Sequence, residues 1–307
     1  MVRREKAFIR LRKDLSMNRY VYLMAIPIVA YYFIFHYITM GGVIIAFQQY
    51  LPARGFFKSQ WVGFKHFVDF LAGPYAVRTI KNTLLINIYS LVFGFPMPII
   101  FALLLNEVNQ GIFKKTVQTI SYLPHFISLM VICGLLKDFS RTQGLFNQIL
   151  GMFGLEPDNL LSIPRYFQPL YVGSGIWQTM GWGSIIYLAT LSSVDPNLYE
   201  AAEIDGAGRF VKMLYITFPS LIPIITIQLI MRLGQIMSQG YEKVILLYNP
   251  LVYETADIIS SYVYRRGLEE ANYSVGAAVG LFNSLINIII LCSVNYTSRR
   301  VIKESLW

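Results

Sequence analysis

Four polar side chains, Gln228, Arg232, Gln235 and Gln239, follow one another at spacings of four, three and four within an otherwise apolar stretch. At about 100° per residue they fall on one narrow stripe of a helix. The glutamine amides donate and accept hydrogen bonds, and the guanidinium donates several in a fixed fork. Leaving Arg232 in hydrocarbon would cost at least about 2.5 kcal/mol, so it should face a cavity or a partner. Asn283 and Asn287 repeat the four-residue spacing after Gly276 and Gly280. Ser174, Gln178 and Gly181 share a face farther upstream, with Trp177 and Trp182 beside them. The glycine pair also fits close helix packing, and the asparagines fit hydrogen bonds between helices. The stripe around Arg232 exceeds what such packing needs. A water-lined path is the reading it favours, drawing on Trp177, Gln178, Gln228, Arg232, Gln235, Gln239, Asn283 and Asn287.

Covalent chemistry finds no support. His36, His66 and His125 are scattered without metal-ligand spacing, and Cys133 and Cys292 sit inside apolar segments. No Ser-His-Asp or Cys-His arrangement stands out. No GxxxxGK[ST] phosphate loop occurs, so the chain is not expected to hydrolyse ATP alone. The expectation is a non-catalytic chain with no metal and no cofactor of its own.

The elements that must position these residues follow from composition. Hydrophobic residues make up 55% of the 307 and charged residues only 14%, with mean hydropathy +0.50. Soluble domains carry about 25% charge, which makes the bilayer the expected solvent. Crossing hydrocarbon takes about 20 apolar residues in a helix. Six stretches qualify: 20–47, 83–105, 119–136, 170–192, 218–240 and 274–296. Prolines 27, 96, 98, 124 and 223 fall in or at the ends of these spans, where neighbouring helices can satisfy the freed carbonyls. The apolar stretch after the basic N-terminus is too long for a signal sequence and lacks a small-x-small site, so it reads as an uncleaved first helix. Fourteen lysines and arginines occupy about 68 positions in the segments 1–19, 106–118, 193–217 and 297–307. Eleven occupy about 100 positions in the other connections. That bias places both termini in the cytoplasm. The fold expected is all-α, with one membrane domain over 20–296 between basic segments 1–19 and 297–307. The net charge of +9 then reflects topology and anionic headgroups. Nucleic acid is not an expected partner, since no basic, aromatic-interleaved patch lies outside the membrane segments.

One stretch breaks the apolar pattern: EAAEIDGAGRFVKMLYITFP, residues 200–219, within the connection 193–217. Asp195-Pro196 signals a helix start, 198–205 suits a short helix, and Gly206 and Gly208 end it. A plain connection would be shorter and poorer in helix formers. The expectation is a docking element for a cytoplasmic partner. Its small Ala201 and Ala202 permit close approach, and Glu200 and Asp205 can accept charge-assisted hydrogen bonds.

The spacing Glu200-Ala201-Ala202, then Gly206, Ile216 and Pro219, resembles the EAA motif of permease subunits of binding-protein-dependent ABC importers. Phe218 stands where that family usually has leucine. The stretch 240–268, GYEKVILLYNPLVYETADIISSYVYRRGL, with YSVGAAVGLFNSLIN after it, is similar to carbohydrate-uptake permeases for aldouronate, alginate and other polysaccharide fragments. The resemblance covers most of residues 15–305. It implies a type I importer fold in a bacterial plasma membrane, and one half of a permease heterodimer. It also implies two ATPase subunits that bind the ATP and Mg, and an extracellular solute-binding protein. By the resemblance Glu200, with Ala201, Ala202, Asp205 and Gly206 around it, contacts the ATPase. Amides and indoles suit an oligosaccharide, offering partners for hydroxyls and flat faces for pyranose rings.

Other functions fit less well. A secondary transporter would want acidic residues within the membrane, and the six stretches contain none. A channel would want a filter sequence. A membrane-embedded glycan or lipid enzyme would want paired carboxylates, which the connections do not display.

Overall fold

The computed structural model describes Asp14 and residues 17–109, 111–237 and 240–301. The regular structure of the described chain is helical apart from one pair of two-residue strands, Gln48–Gln49 against Gln60–Trp61. Four helical stretches are long and apolar enough to cross a membrane: Arg19–Phe47, Ala76–Glu107, Arg209–Leu233 and Tyr273–Arg300. The helix Pro164–Leu191 has 28 residues, about 42 Å at 1.5 Å each. Its glycines, serines and two glutamines make it less apolar than those four.

Two expected spans take a different form. The stretch 119–136 is not one helix: Ile112–Phe126 and Leu129–Gly151 meet at 98°. Pro124 lacks an N–H and opens a short 3-10 turn, and Ser128 then caps the next helix, its Oγ accepting from Val131 N at 3.4 Å. The stretch 218–240 stops early, because the helix Phe218–Leu233 ends at Gly234. A Cβ at Gly234 would lie 2.6 Å from Leu291 Cδ1, so the Leu291 side chain of the final helix packs over this glycine. Gly240, at φ +91°, then turns the chain into the short helix Tyr241–Leu247. The first stretch, by contrast, runs on through π and 3-10 turns, with none of its apolar window buried.

Tight backbone contacts set the bundle. At Gly181 a Cβ would collide with the Ser121 carbonyl, so the glycine lets the 112–122 helix meet the 164–191 helix. A Cβ at Gly276 would come within 2.8 Å of Gly267 Cα, which makes this glycine a packing residue. One end of the bundle is filled by Ile99, Ala102, Tyr187, Leu191 and Leu221. The connection 192–208 leaves from that end.

At the other end the connection 241–272 folds back on the helix tops. Asp257 is fully buried between two arginines, at 3.1 Å from Arg78 and 2.8 Å from Arg265. Ser261 Oγ donates to its second oxygen at 2.9 Å. Asn82 Nδ2 donates to the carbonyls of Glu254 (2.8 Å) and Asp257 (3.1 Å). This node pins the connection to the Ala76–Tyr89 helix.

Candidate functional site: an open cavity and a charged loop

Between the helices 76–107, 164–191 and 218–233 lies a cavity of about 880 Å³. Gln178 and Trp182 come from the second of these, and Gln228 and Arg232 from the third. Gln235 reaches the wall from a turn, its N–H donating to Arg232 O at 3.2 Å. The polar stripe is therefore not one helix face beyond residue 233, although three of its members still share a wall. Gln239 lies outside the described residues.

The other path candidates sit elsewhere. Trp177 is half exposed and does not line the cavity. Asn283 and Asn287 are buried in the final helix. Asn287 Oδ1 accepts from Met237 N at 3.0 Å and so ties the post-233 turn to that helix.

Lys243 also lines the cavity, and the spacing arguments missed it. It sits early in the helix Tyr241–Leu247, where its Nζ donates to Tyr171 O at 2.9 Å and lies 4.8 Å from the Tyr171 ring. The Tyr171 hydroxyl in turn donates to Gly240 O at 3.3 Å. Lys243 stands outside the long spans, and burial pushes its ammonium down to about 8. Its one sequence signal is a lone cation against the run Val244–Leu247. Trp182 has a braced ring: His125 stacks on it at 4.6 Å and 2°, and Phe126 meets it edge-on at 5.3 Å. Among the described lining residues the charges are Arg232 and Lys243, with no carboxylate.

The charged loop forms a short capped helix, Pro196–Ile204, starting two residues earlier than 198–205. Asp195 caps it, Oδ1 accepting from Asn197 N at 3.0 Å. Gly206 at φ +79° closes it, with Ala207 N donating to Ala202 O at 2.8 Å. Tyr199 and Thr217 meet at 3.1 Å through their hydroxyls, and Lys212 pairs with Glu203 at 3.2 Å. Glu200, Ala201, Asp205 and Gly206 are exposed and Ala202 half-buried. Ile204 is 88% exposed, so an apolar residue stands uncovered beside the carboxylates.

A helical membrane protein with an open cavity between its helices, amides and two cations set in its wall, and a capped charged helix at one end has the architecture of a transport subunit. Residues 94–303 match the family of binding-protein-dependent transport system inner membrane components, and the chain belongs to it. It is 41% identical over 294 residues to protein LplB of Bacillus subtilis strain 168, spanning 95% of this chain and 92% of that protein. It is 40% identical to the polygalacturonan/rhamnogalacturonan transport system permease protein YteP of the same strain, over 97% and 93%. Among solved structures, the chain is similar to one of a bacterial alginate ABC transporter in complex with an alginate pentasaccharide-bound periplasmic protein. There the TM-score is 0.89 at 42% identity, covering 97% of this chain and 100% of that one. A second structure, of a bacterial ABC transporter importing the acidic polysaccharide alginate, gives 0.88 at 43%, over 95% and 99%.

Proposed function

We propose that this chain is the permease subunit of an ATP-driven ABC importer for an oligosaccharide or polysaccharide fragment. The observation that carries the reading is the cavity, where amides, an indole and two cations converge from separate elements. Amides pair with sugar hydroxyls and the braced Trp182 ring offers a face for a pyranose. Gln178, Gln228, Arg232 and Gln235 are the path residues this reading retains.

In this reading six segments cross the plasma membrane, the bent 112–151 pair and the 164–191 helix among them, with both termini cytoplasmic. The membrane domain is 20–296. A homologous second permease subunit completes the path, and a solute-binding protein delivers the sugar. Two ATPase subunits, which hold the ATP and Mg, dock on Glu200, Ala201, Ala202, Asp205 and Gly206. The exposed, capped loop helix supports this docking, because an interface wants a preformed surface.

Reconstitution tests it. The chain, its partner permease and the ATPase in proteoliposomes should import glycan only with ATP and binding protein. Uptake driven by a proton or sodium gradient without ATP would favour a secondary transporter and sink the proposal. A cysteine at position 205 should label from the cytoplasmic side alone, and one at position 143 from outside.

A further inference from the structure

The segment between the first two spans carries an aromatic surface that the transport reading does not use. Phe57 is fully exposed, Phe64 is 68% and Trp61 60% exposed. Val68 and Leu71 continue the exposed apolar surface. Phe47, the last residue of the first span, lies against two of these rings. Its ring stacks on Trp61 at 5.8 Å and meets Phe64 at 5.4 Å. Arg54, Lys58 and Lys65 stand exposed around it, against one carboxylate, Asp69.

Three span ends fix the height of this surface. Phe47 ends the first span, Ala76 begins the second and Tyr273 begins the last. Tyr50 N donates to Ser274 Oγ at 2.9 Å, so the segment is fastened at the top of the last span. It also reaches lower. Phe70 meets Phe282 at 6.0 Å between ring centres, and Phe282 lies nine residues, about 13 Å, below Tyr273. The 28-residue span Tyr273–Arg300 is about 42 Å long, some 12 Å more than a hydrocarbon core of about 30 Å. Centred in the bilayer, it loses about 6 Å to the headgroups at each end, which puts Phe282 within the hydrocarbon.

We propose that residues 51–71 are a membrane foot lying in the headgroup–acyl boundary. Phe57, Trp61 and Phe64 enter the acyl side, and Arg54, Lys58 and Lys65 reach anionic lipid phosphates. Aromatic rings with flanking cations are the composition that stabilises this boundary. The foot gives the first span a mooring. None of the apolar window of Arg19–Phe47 is buried against the chain; only its end packs, where the Gly41–Phe47 turns meet the final helix and this segment.

The test is a spin label at Phe57→Cys, with Cys133→Ala and Cys292→Ala, and a reference label at Gln143→Cys in an exposed loop at the same end. The assembled transporter is placed in nanodiscs of phosphatidylethanolamine and phosphatidylglycerol without any binding protein. The ratio of oxygen to nickel-chelate accessibility should be several times larger at 57 than at 143. Equal ratios would overturn the proposal and mark a surface awaiting a soluble partner. Low accessibility to both reagents would overturn it in favour of burial against the second permease subunit.

Discussion

The connections at the two ends of the bundle use charge in opposite ways. In 192–208 the carboxylates face outward, with Glu200 and Asp205 exposed and their helix tied back only through neighbours. In 241–272 the carboxylate of Asp257 is turned inward and fully buried between Arg78 and Arg265. A buried carboxylate must be matched inside its own chain, because an unmatched one is too costly. An exposed one is stable in water and remains available to another molecule. The first connection leaves its carboxylates available at the surface, and the second uses its own to complete the fold.

The largest expected effect breaks the inward end. Asp257→Ala leaves two partly buried guanidiniums without their counter-ion, at a cost of about 3 kcal/mol or more. Thermal unfolding of the purified transporter should fall, and limited proteolysis should open the 241–272 connection first. Unchanged melting would mean that the node is dispensable. Next, Glu200→Arg should act at the outward end, on coupling and not on folding. Loss of a charge-assisted contact is about 1.5–3 kcal/mol, so ATPase association should weaken by roughly tenfold or more while the membrane subunit melts as before. A shift in melting with intact association would reverse the assigned roles of the two ends.

Arg232→Leu sits between these extremes. Its guanidinium faces the cavity, so transport should fall while heterodimer assembly and basal ATP hydrolysis persist. If assembly itself fails, Arg232 is an interface residue. A mutant that assembles and imports at the wild-type rate would exclude both roles. The smallest effect belongs to Trp177→Phe. That ring lies off the cavity, and surface changes of this kind stay within about 0.5 kcal/mol. A clear transport defect would show that the path extends beyond the cavity seen here.

Sequence spacing located the charged loop helix within two residues, because every signal there is local. Asp195 caps, Pro196 starts, Gly206 closes, and none of these depends on a distant contact. The polar stripe around Arg232 was legible only in part. Gln228 and Arg232 keep their helical spacing, whereas Gly234 ends the helix where Leu291, 57 residues onward, approaches. Gln178 and Gln228 reach the same cavity from different helices, and Asn283 and Asn287 do not, though the residue types are alike. Lys243 was invisible to periodicity because it lies in a short helix after a glycine turn.

What the sequence determined alone is the solvent, the apolar segments and the charged island, since each rests on composition or on contacts within one turn. The tertiary structure decided which polar groups converge. It set the final helix beside the end of the helix at 233 and brought Lys243 to Tyr171. It also buried Asp257 between arginines 179 residues away and 8 residues away. These outcomes depend on which backbones come close enough to touch, and that is a property of the packed helices that no single segment encodes.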